Sequence, residues 1–157
     1  MAENIQTITY GAITVGQRAT IERLVEEKDI LLFAAASGDN NPVHLNPDFA
    51  ATTSFKKPIA HGMLSASFIS AAMACNLPGP GSIYLTQTLE FLRPVYAGDT
   101  LRIEIEVLEK LPKNKVRLST KVFNQKNKRI LEGEASALLP NESQLVKMSA
   151  LPQATIS

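Results

Sequence analysis

Residues that build disulfide frameworks and metal centres are scarce in this sequence. The 157 residues include one cysteine, two histidines and no tryptophan. A single cysteine, Cys75, cannot form an internal disulfide or a thiolate zinc site, so the sequence favours a reducing setting such as the cytoplasm. Two histidines, joined at best by carboxylates, are a weak set of zinc ligands. We therefore expect a cytoplasmic protein without a metal site.

Charge of one sign and long apolar runs are also lacking. The net charge is +1, whereas proteins that bind nucleic acid normally present a strongly basic face. Neither nucleic acid nor an anionic membrane surface is therefore an expected partner. The longest apolar run covers residues 30–36, far fewer than the roughly 20 residues needed to span a bilayer. The start of the chain, with Glu3 and no apolar core, does not have the pattern of a signal peptide.

The length fits one domain, because a single core typically organises roughly 100 to 200 residues. The C-terminal half alternates between apolar and polar residues, as half-buried strands do. The alternation covers residues 82–92, 101–107, 116–122 and 131–137, with turn-forming stretches between the later segments. We predict a four-stranded antiparallel meander with one solvated face, and a further strand over residues 18–24 at the sheet edge.

Two helices are predicted, over residues 27–37 and 61–77. The second is apolar on every side and is interrupted only by small residues, Ser65, Ser67 and Ser70. Such a helix is expected to be buried. At about 1.5 Å per residue it would run about 25 Å, enough to lie along a sheet that curls around it. Cys75, near its end, is expected to be a packed small hydrophobic residue and not a nucleophile.

A polar loop over residues 37–44 follows the first helix. Gly38 can take the left-handed conformation that ends a helix, and Pro42 keeps the backbone before it extended. The loop contains Asp39 and His44, which are suited to acid/base chemistry because a carboxylate in an apolar cleft can titrate near an imidazole. Taken alone, an aspartate and a histidine at this spacing are more often a turn cap and a half-buried histidine.

A second loop leads into the long helix and places Gly62 in its first turn. The free N–H groups at a helix N-terminus suit an oxyanion such as a polarised thioester carbonyl. A glycine there lets a ligand approach the backbone closely, although the simpler alternative is that Gly62 only permits a tight start of the helix. Both histidines of the chain, His44 and His61, fall in these two loops.

These residues carry a resemblance to a known family. Residues 33–44, with Ala50 six positions after His44, resemble the signature of the (R)-specific enoyl-CoA hydratases, the MaoC-like or hydratase 2 group of hot-dog proteins. The resemblance continues through residues 49–53, 58–63, 81–85 and 91–95 to about residue 140. It is greatest to short bacterial members that supply (R)-3-hydroxyacyl-CoA for polyester synthesis and related pathways. It divides the chain into a lead-in (1–10), a hot-dog domain (11–140) and a tail (141–157).

The resemblance implies an α+β hot dog fold, in which a curved antiparallel β-sheet wraps a long buried central helix. It implies that water adds to a trans-2-enoyl-CoA thioester to give the (R)-3-hydroxy product, without a metal or an organic cofactor. It also implies a homodimer, because hot-dog proteins of this size usually pair their sheets and bind the acyl-CoA substrate near the junction of two subunits.

Residue roles follow from the resemblance by position. Asp39 is expected to activate the water as a base, and His44 to bind that water and relay or donate the proton to the alpha carbon. The N–H of Gly62 is expected to polarise the thioester carbonyl. Asn41 is expected to brace the loop, and Ser70 to support the acid/base pair from the central helix.

Two residues of the long helix have further expected roles: Met73 lines the acyl pocket, and His61 shapes the start of the helix.

Three alternative functions remain open. A hot-dog thioesterase normally lacks the Gly-Asp-x-Asn-Pro-x-His loop. A 3-hydroxyacyl-[acyl-carrier-protein] dehydratase would use the same chemistry on a different thioester. A non-catalytic acyl-thioester-binding module would not need the intact Asp39 and His44.

Overall fold

The structure, a computed structural model, describes residues 3–157. Residues 1–2 of the predicted lead-in lie outside that range. Within it the strands are β1 (Asn4–Gln6), β2 (Arg18–Leu24), β3 (Ile83–Gln87), β4 (Glu90–Phe91), β5 (Thr100–Leu111), β6 (Lys115–Phe123), β7 (Arg129–Leu138) and β8 (Leu145–Lys147). The helices are α1 (Glu27–Ser37), α2 (Pro42–Leu45), α3 (Pro47–Thr52) and α4 (Gly62–Cys75). The predictions for β2 and α1 are confirmed.

The main sheet has the strand order β2-β5-β6-β7-β3, with β4 also paired to β7, and all of its pairings are antiparallel. Along β5 and β6 buried residues alternate with half-exposed ones, which confirms the prediction of strands with one solvated face. The buried side includes Leu101, Ile103, Leu118 and Leu131, each 0% exposed. This apolar face of the sheet forms one wall of the core.

The predicted four-stranded meander is wrong in one respect, because residues 82–92 pair with β7 and not with β5. The reason is the segment that follows β4. The carbonyl of Val95, a residue only 3% exposed, accepts a hydrogen bond from Ala60 at 2.7 Å. Further along, Val25 donates to Asp99 at 2.9 Å, and Gly98 donates back to Val25 at 2.7 Å. The chain therefore passes the start of α4 and reaches β5 beside β2.

The same segment is also interrupted, so that β3 and β4 are separate strands. Between them, Thr88 exchanges two hydrogen bonds with Glu134 of β7: its N–H donates to the carbonyl at 2.8 Å, and its hydroxyl accepts from the N–H at 3.0 Å. The carbonyl oxygen of Thr88 would lie 1.8 Å from a Cβ at residue 133. Gly133 is therefore required for this close approach of two backbones.

The central helix α4 lies against the apolar face of the sheet. Its buried residues include Leu64, Phe68, Ile69 and Met73, which gives the predicted arrangement of a sheet around a long helix. A second face of α4 is exposed in the single chain: Ser70, Ala71, Ala74 and Cys75. The prediction that Cys75 is packed is therefore wrong, since it is the exposed last residue of the helix. Within residues 3–157, no helix is both long and apolar enough to cross a membrane.

The two ends of the described chain lie side by side. Strands β1 and β8 form a separate two-stranded antiparallel sheet in which Ile5 is opposite Val146. The N–H of Thr7 extends the contact by donating to Gln144 at 2.8 Å. Beyond β8, residues 148–157 form no helix or strand. The division of the chain at residues 10 and 140 stays a prediction.

Candidate active site

The polar loop after α1 begins with a well-formed helix end. Gly38 has φ of 80° and donates its N–H to Ala34 at 2.9 Å. This left-handed conformation is readily adopted by glycine and closes the helix. The hydroxyl of Ser37 then accepts a hydrogen bond from the N–H of Asp39 at 3.1 Å. The direction in which Asp39 leaves α1 is therefore fixed by two local bonds.

Side chains of the loop also determine where His44 lies. Asp39 Oδ1 accepts the N–H of Asn41 at 3.1 Å, and Asn41 Oδ1 accepts the N–H of Val43 at 3.1 Å. Asn41 is thus the N-cap of the single-turn helix α2, with Pro42 at its first position. Because α2 is a single turn, its N-cap also determines the position of His44, the third residue of that turn. His44 is thereby held on the same loop as Asp39.

Asp39 and His44 face one another across a gap. Their nearest atoms, Asp39 Oδ2 and His44 Nε2, are 4.0 Å apart, and the two side chains are 49% and 11% exposed. The other ring nitrogen of His44, Nδ1, lies 2.7 Å from the carbonyl oxygen of Ile59. A carbonyl can only accept, so Nδ1 carries a proton and Nε2 is the nitrogen available for proton exchange. The gap is too long for a direct hydrogen bond and suits one oxygen bonded to both groups.

His61 contacts both members of this pair. It is 2% exposed, and its Nε2 lies 3.0 Å from the backbone carbonyl oxygen of Asp39. Its ring stacks on that of His44, with centroids 3.8 Å apart and an angle of 27° between the planes. The ring of Phe33 lies beside it at 4.9 Å. The side chain of His61 thus contacts the loop of Asp39 and His44, while its carbonyl accepts the N–H of Leu64 at 3.0 Å. Its predicted role in shaping the start of α4 stays a prediction.

Three residues, Asp39, His44 and His61, each offer one possible metal-ligand atom, and these three atoms lie within 4.8 Å of one another. This is the spacing of a candidate metal cluster, but the two imidazoles are stacked and each uses one nitrogen on a backbone carbonyl. The lone pairs of stacked rings do not converge on one point, as the tetrahedral geometry of zinc requires. The arrangement fits proton transfer better than metal binding.

Gly62 is the first residue of α4, where backbone N–H groups have no intrahelical partner. It lines a cavity of about 380 Å³ together with Asp39 and His61. It also lines a neighbouring cavity of about 340 Å³, together with Ser65 and Phe91. A Cβ at position 62 would lie 2.8 Å from Phe91 Cε1. The ring of Phe91, 52% exposed, therefore occupies the space that a side chain at position 62 would fill. The two cavities beside it leave the backbone of Gly62 open to a carbonyl oxygen at the N-terminus of α4.

The structure does not bring the other two predicted residues to the pair. Ser70 is exposed on α4, and within the described chain no hydrogen bond joins its hydroxyl to Asp39 or His44. Met73 is 2% exposed and belongs to the hydrophobic core. Their predicted roles stay predictions.

Sequence reasoning missed two contributions to the site. One is the carbonyl of Ile59, which no side-chain pattern can reveal because it is a backbone group. The other is the stacking of His61 on His44. The sequence did carry a signal for this contact. Both histidines fall in the two loops that were predicted to carry the chemistry, so their proximity could have been predicted.

The comparison with known families decides the class of protein. The family described as MaoC like domain matches residues 9–131. The chain belongs to the MaoC-like domain family. The predicted membership of this family is thereby confirmed.

Relatives within the MaoC-like family include an (R)-specific enoyl-CoA hydratase of Rhodospirillum rubrum, 45% identical over 128 residues that cover 82% of this chain and 89% of the relative. The solved structure of the R-hydratase PhaJ1 from Pseudomonas aeruginosa, in the unliganded form, has a TM-score of 0.93 and 54% identity, covering 99% of this chain and 100% of that one. The (R)-hydratase from A. caviae involved in PHA biosynthesis has a TM-score of 0.80 and 44% identity, covering 82% of this chain and 98% of that one. The predicted α+β hot dog fold is confirmed by these likenesses.

Proposed function

We propose that this protein catalyses the reversible, (R)-specific hydration of trans-2-enoyl-CoA to (R)-3-hydroxyacyl-CoA and is therefore a hydro-lyase. The observation that carries the proposal is the 4.0 Å gap between Asp39 Oδ2 and His44 Nε2. Asp39 also lines a cavity together with Gly62. The names of its close relatives in the MaoC-like family support the same reaction and an acyl-CoA substrate.

The three groups have complementary tasks in this reaction. Asp39 accepts a proton from the bound water as the water oxygen bonds to C3 of the enoyl thioester. The displaced electron pair moves onto the thioester oxygen, where the N–H of Gly62 stabilises the negative charge. The free Nε2 of His44 takes this proton from Asp39 and gives it to C2, so that His44 ends as it began, protonated at Nδ1. Water is thereby added across the double bond, and neither side chain is changed.

The test is hydration of crotonyl-CoA. The reaction is monitored by the loss of enoyl-thioester absorbance, and the configuration of the product is determined by chiral analysis. We expect (R)-3-hydroxybutyryl-CoA. An (S)-product, or free CoA from thioester hydrolysis, contradicts the assignment. Crotonyl-carrier protein is assayed in parallel, and a much higher kcat/KM on it indicates the carrier-protein dehydratase instead. Binding of crotonyl-CoA without turnover indicates the non-catalytic module.

We also propose that the chain works as a homodimer. Strand β3 is an edge strand of the main sheet, and its Ile83 and Leu85 are 57% and 42% exposed. Met63 of α4 and Phe91 of β4 are likewise 54% and 52% exposed. An unprotected apolar edge is a template for pairing with another strand. A second copy of this chain would cover it and enlarge the substrate site.

The dimer is tested by light scattering during gel filtration at micromolar concentration. We expect the mass of two chains for the unaltered protein and of one chain for Leu85→Glu. Val15→Glu is the matched control, since Val15 is also exposed, at 60%, but lies outside the β3 edge. A monomeric unaltered protein contradicts the proposal.

Met73 is proposed to line the acyl pocket, and Ser70 to support Asp39 and His44 from the central helix. Both lie on α4, the helix that begins beside the proposed thioester site at Gly62. Met73→Ala is expected to raise the rate on a C8 enoyl-CoA relative to crotonyl-CoA, because it removes volume from the pocket proposed for the acyl chain. Ser70→Ala is expected to lower kcat, because it removes the hydroxyl proposed to support Asp39 and His44. Unchanged chain-length preference and unchanged kcat contradict the two roles.

We infer a cytoplasmic location from the single cysteine, which is free.

We further infer that the (R)-3-hydroxyacyl-CoA product serves polyester synthesis or a related pathway. Co-expression with a polyester synthase in a host without its own hydratase tests this inference. Polymer that accumulates only with the active chain supports it, and an absence of polymer contradicts it.

A further inference from the structure

His61 is buried in the site but has no part in the proposed proton transfers. Its Nε2 lies 3.0 Å from the carbonyl oxygen of Asp39, and since a carbonyl only accepts, Nε2 is the donor. Its Nδ1 is buried without a hydrogen-bond partner in the described chain. A second proton on Nδ1 would be a buried donor without an acceptor, which is unfavourable. These contacts select one tautomer of His61, with the proton on Nε2.

The two contacts of His61 act on the two members of the pair separately. Its N–H holds the backbone of Asp39, and its ring face lies against His44 at 3.8 Å. Phe33 packs beside the same ring at 4.9 Å, so His61 has little room to turn. His61 is the N-cap residue of α4, yet its side chain makes no capping hydrogen bond. Its contacts are therefore made toward the loop of Asp39 and His44.

We propose that His61 is a positioning residue for the hydration reaction. It links the two members of the pair, because it donates a hydrogen bond to the backbone of Asp39 and stacks its ring on His44. The inference rests on the proposed function of that pair. Together with the bond from His44 to Ile59, the stacked ring leaves His44 one orientation, with Nε2 toward the carboxylate. Small misplacements of reacting groups are costly to turnover, so the effect is expected in kcat.

Two substitutions separate the two contacts. His61→Gln keeps an N–H that can reach the Asp39 carbonyl but removes the ring, whereas His61→Phe keeps a ring on His44 but removes the donor. We expect each to lower kcat for crotonyl-CoA about tenfold or more, with KM changed less than about threefold. Leu64→Val is the control: Leu64 is buried in the same first turn but faces the core. It is expected to lower Tm and to leave kcat within about twofold.

Nitrogen NMR of the unaltered protein provides a measurement that does not depend on activity or on variant stability. The chain has two histidines, so the side-chain spectrum contains two ring systems. We expect His61 protonated at Nε2 and unprotonated at Nδ1, and His44 protonated at Nδ1.

The outcomes are distinguishable. An unaltered protein that does not hydrate crotonyl-CoA overturns the proposed function. An active protein whose His61→Gln and His61→Phe variants keep full kcat overturns the positioning role alone. A His61 protonated at Nδ1 overturns it as well, and so does a Leu64→Val control that loses as much kcat as the His61 variants.

Discussion

His44 donates its Nδ1 proton to the carbonyl oxygen of Ile59 at 2.7 Å, so backbone outside the polar loop sets which nitrogen faces Asp39. The variant His44→Asn separates this structural bond from the chemistry, because its amide N–H can still reach Ile59 while Nε2 is lost. We expect kcat for crotonyl-CoA to fall by about 10²- to 10⁴-fold, the scale of general acid–base catalysis, with Tm nearly unchanged. A folded His44→Asn protein with full kcat would exclude Nε2 from proton transfer.

Asp39→Asn tests the proposed base with little change of shape. The amide oxygen of the variant can still accept the N–H of Asn41, the bond seen at 3.1 Å, so the loop should keep its conformation. Loss of the carboxylate is expected to lower kcat by about a hundredfold or more. Asp48→Asn is the matched control, since Asp48 is an exposed carboxylate in the first turn of α3, and its kcat should stay within about twofold. Equal effects of the two substitutions would contradict a specific role for Asp39.

Gly62→Ala tests the proposed approach of the thioester to the backbone. The added methyl group would lie 2.8 Å from Phe91 Cε1, but Phe91 is 52% exposed, so its ring can turn away at modest cost in stability. The added methyl group and the displaced ring would then narrow the cavity that Gly62 and Phe91 line, where the substrate carbonyl is proposed to bind. We expect kcat/KM to fall at least tenfold, because oxyanion stabilisation is sensitive to donor geometry. The double variant Gly62→Ala/Phe91→Leu removes the clash, and recovery of full activity in it would show that packing alone was disturbed.

Gly133→Ala is predicted to damage the fold, and not the chemistry directly. Its methyl group would meet the carbonyl oxygen of Thr88 at 1.8 Å, and relief of that clash requires movement of backbone in β7 or in the link between β3 and β4. Overpacking of this kind costs about 3 kcal/mol or more, which for a chain of this size corresponds to a Tm lower by roughly 6 to 12 °C. Gly11→Ala is the control, because its nearest neighbour would be 4.0 Å away. Calorimetry of both variants decides, and a Gly133→Ala protein as stable as the control would contradict the close approach.

Local patterns in the sequence were sufficient for most elements of the fold. The bounds of β2 and α1 were predicted as found, since period and caps are local signals. The break at Thr88 could not be predicted in this way, because the apolar alternation continues across it and its cause, Gly133, lies in a distant strand. The pairing of β3 with β7 was missed for a related reason: the path of residues 93–99 is set by contacts with Ala60 and Val25.

The candidate site was predictable to the extent that side chains define it. Asp39 and His44 were placed in one loop by sequence and lie 4.0 Å apart. The contact with Ile59 involves a backbone carbonyl fifteen positions from His44, and sequence patterns carry no information about it. The exposed position of Ser70 likewise depends on which face of α4 the sheet covers, which an all-round apolar helix does not reveal.

The pairing of β1 with β8 ties the two ends of the chain together. Shortening the protein at one end therefore alters the other: removal of residues 141–157 would leave Asn4–Gln6 without the strand they pair with. Expression variants should keep both strands or remove both. The proximity of the ends also makes the protein a suitable candidate for circular permutation, with a short linker from residue 148 back to residue 3 and new termini opened in an exposed turn such as residues 124–128.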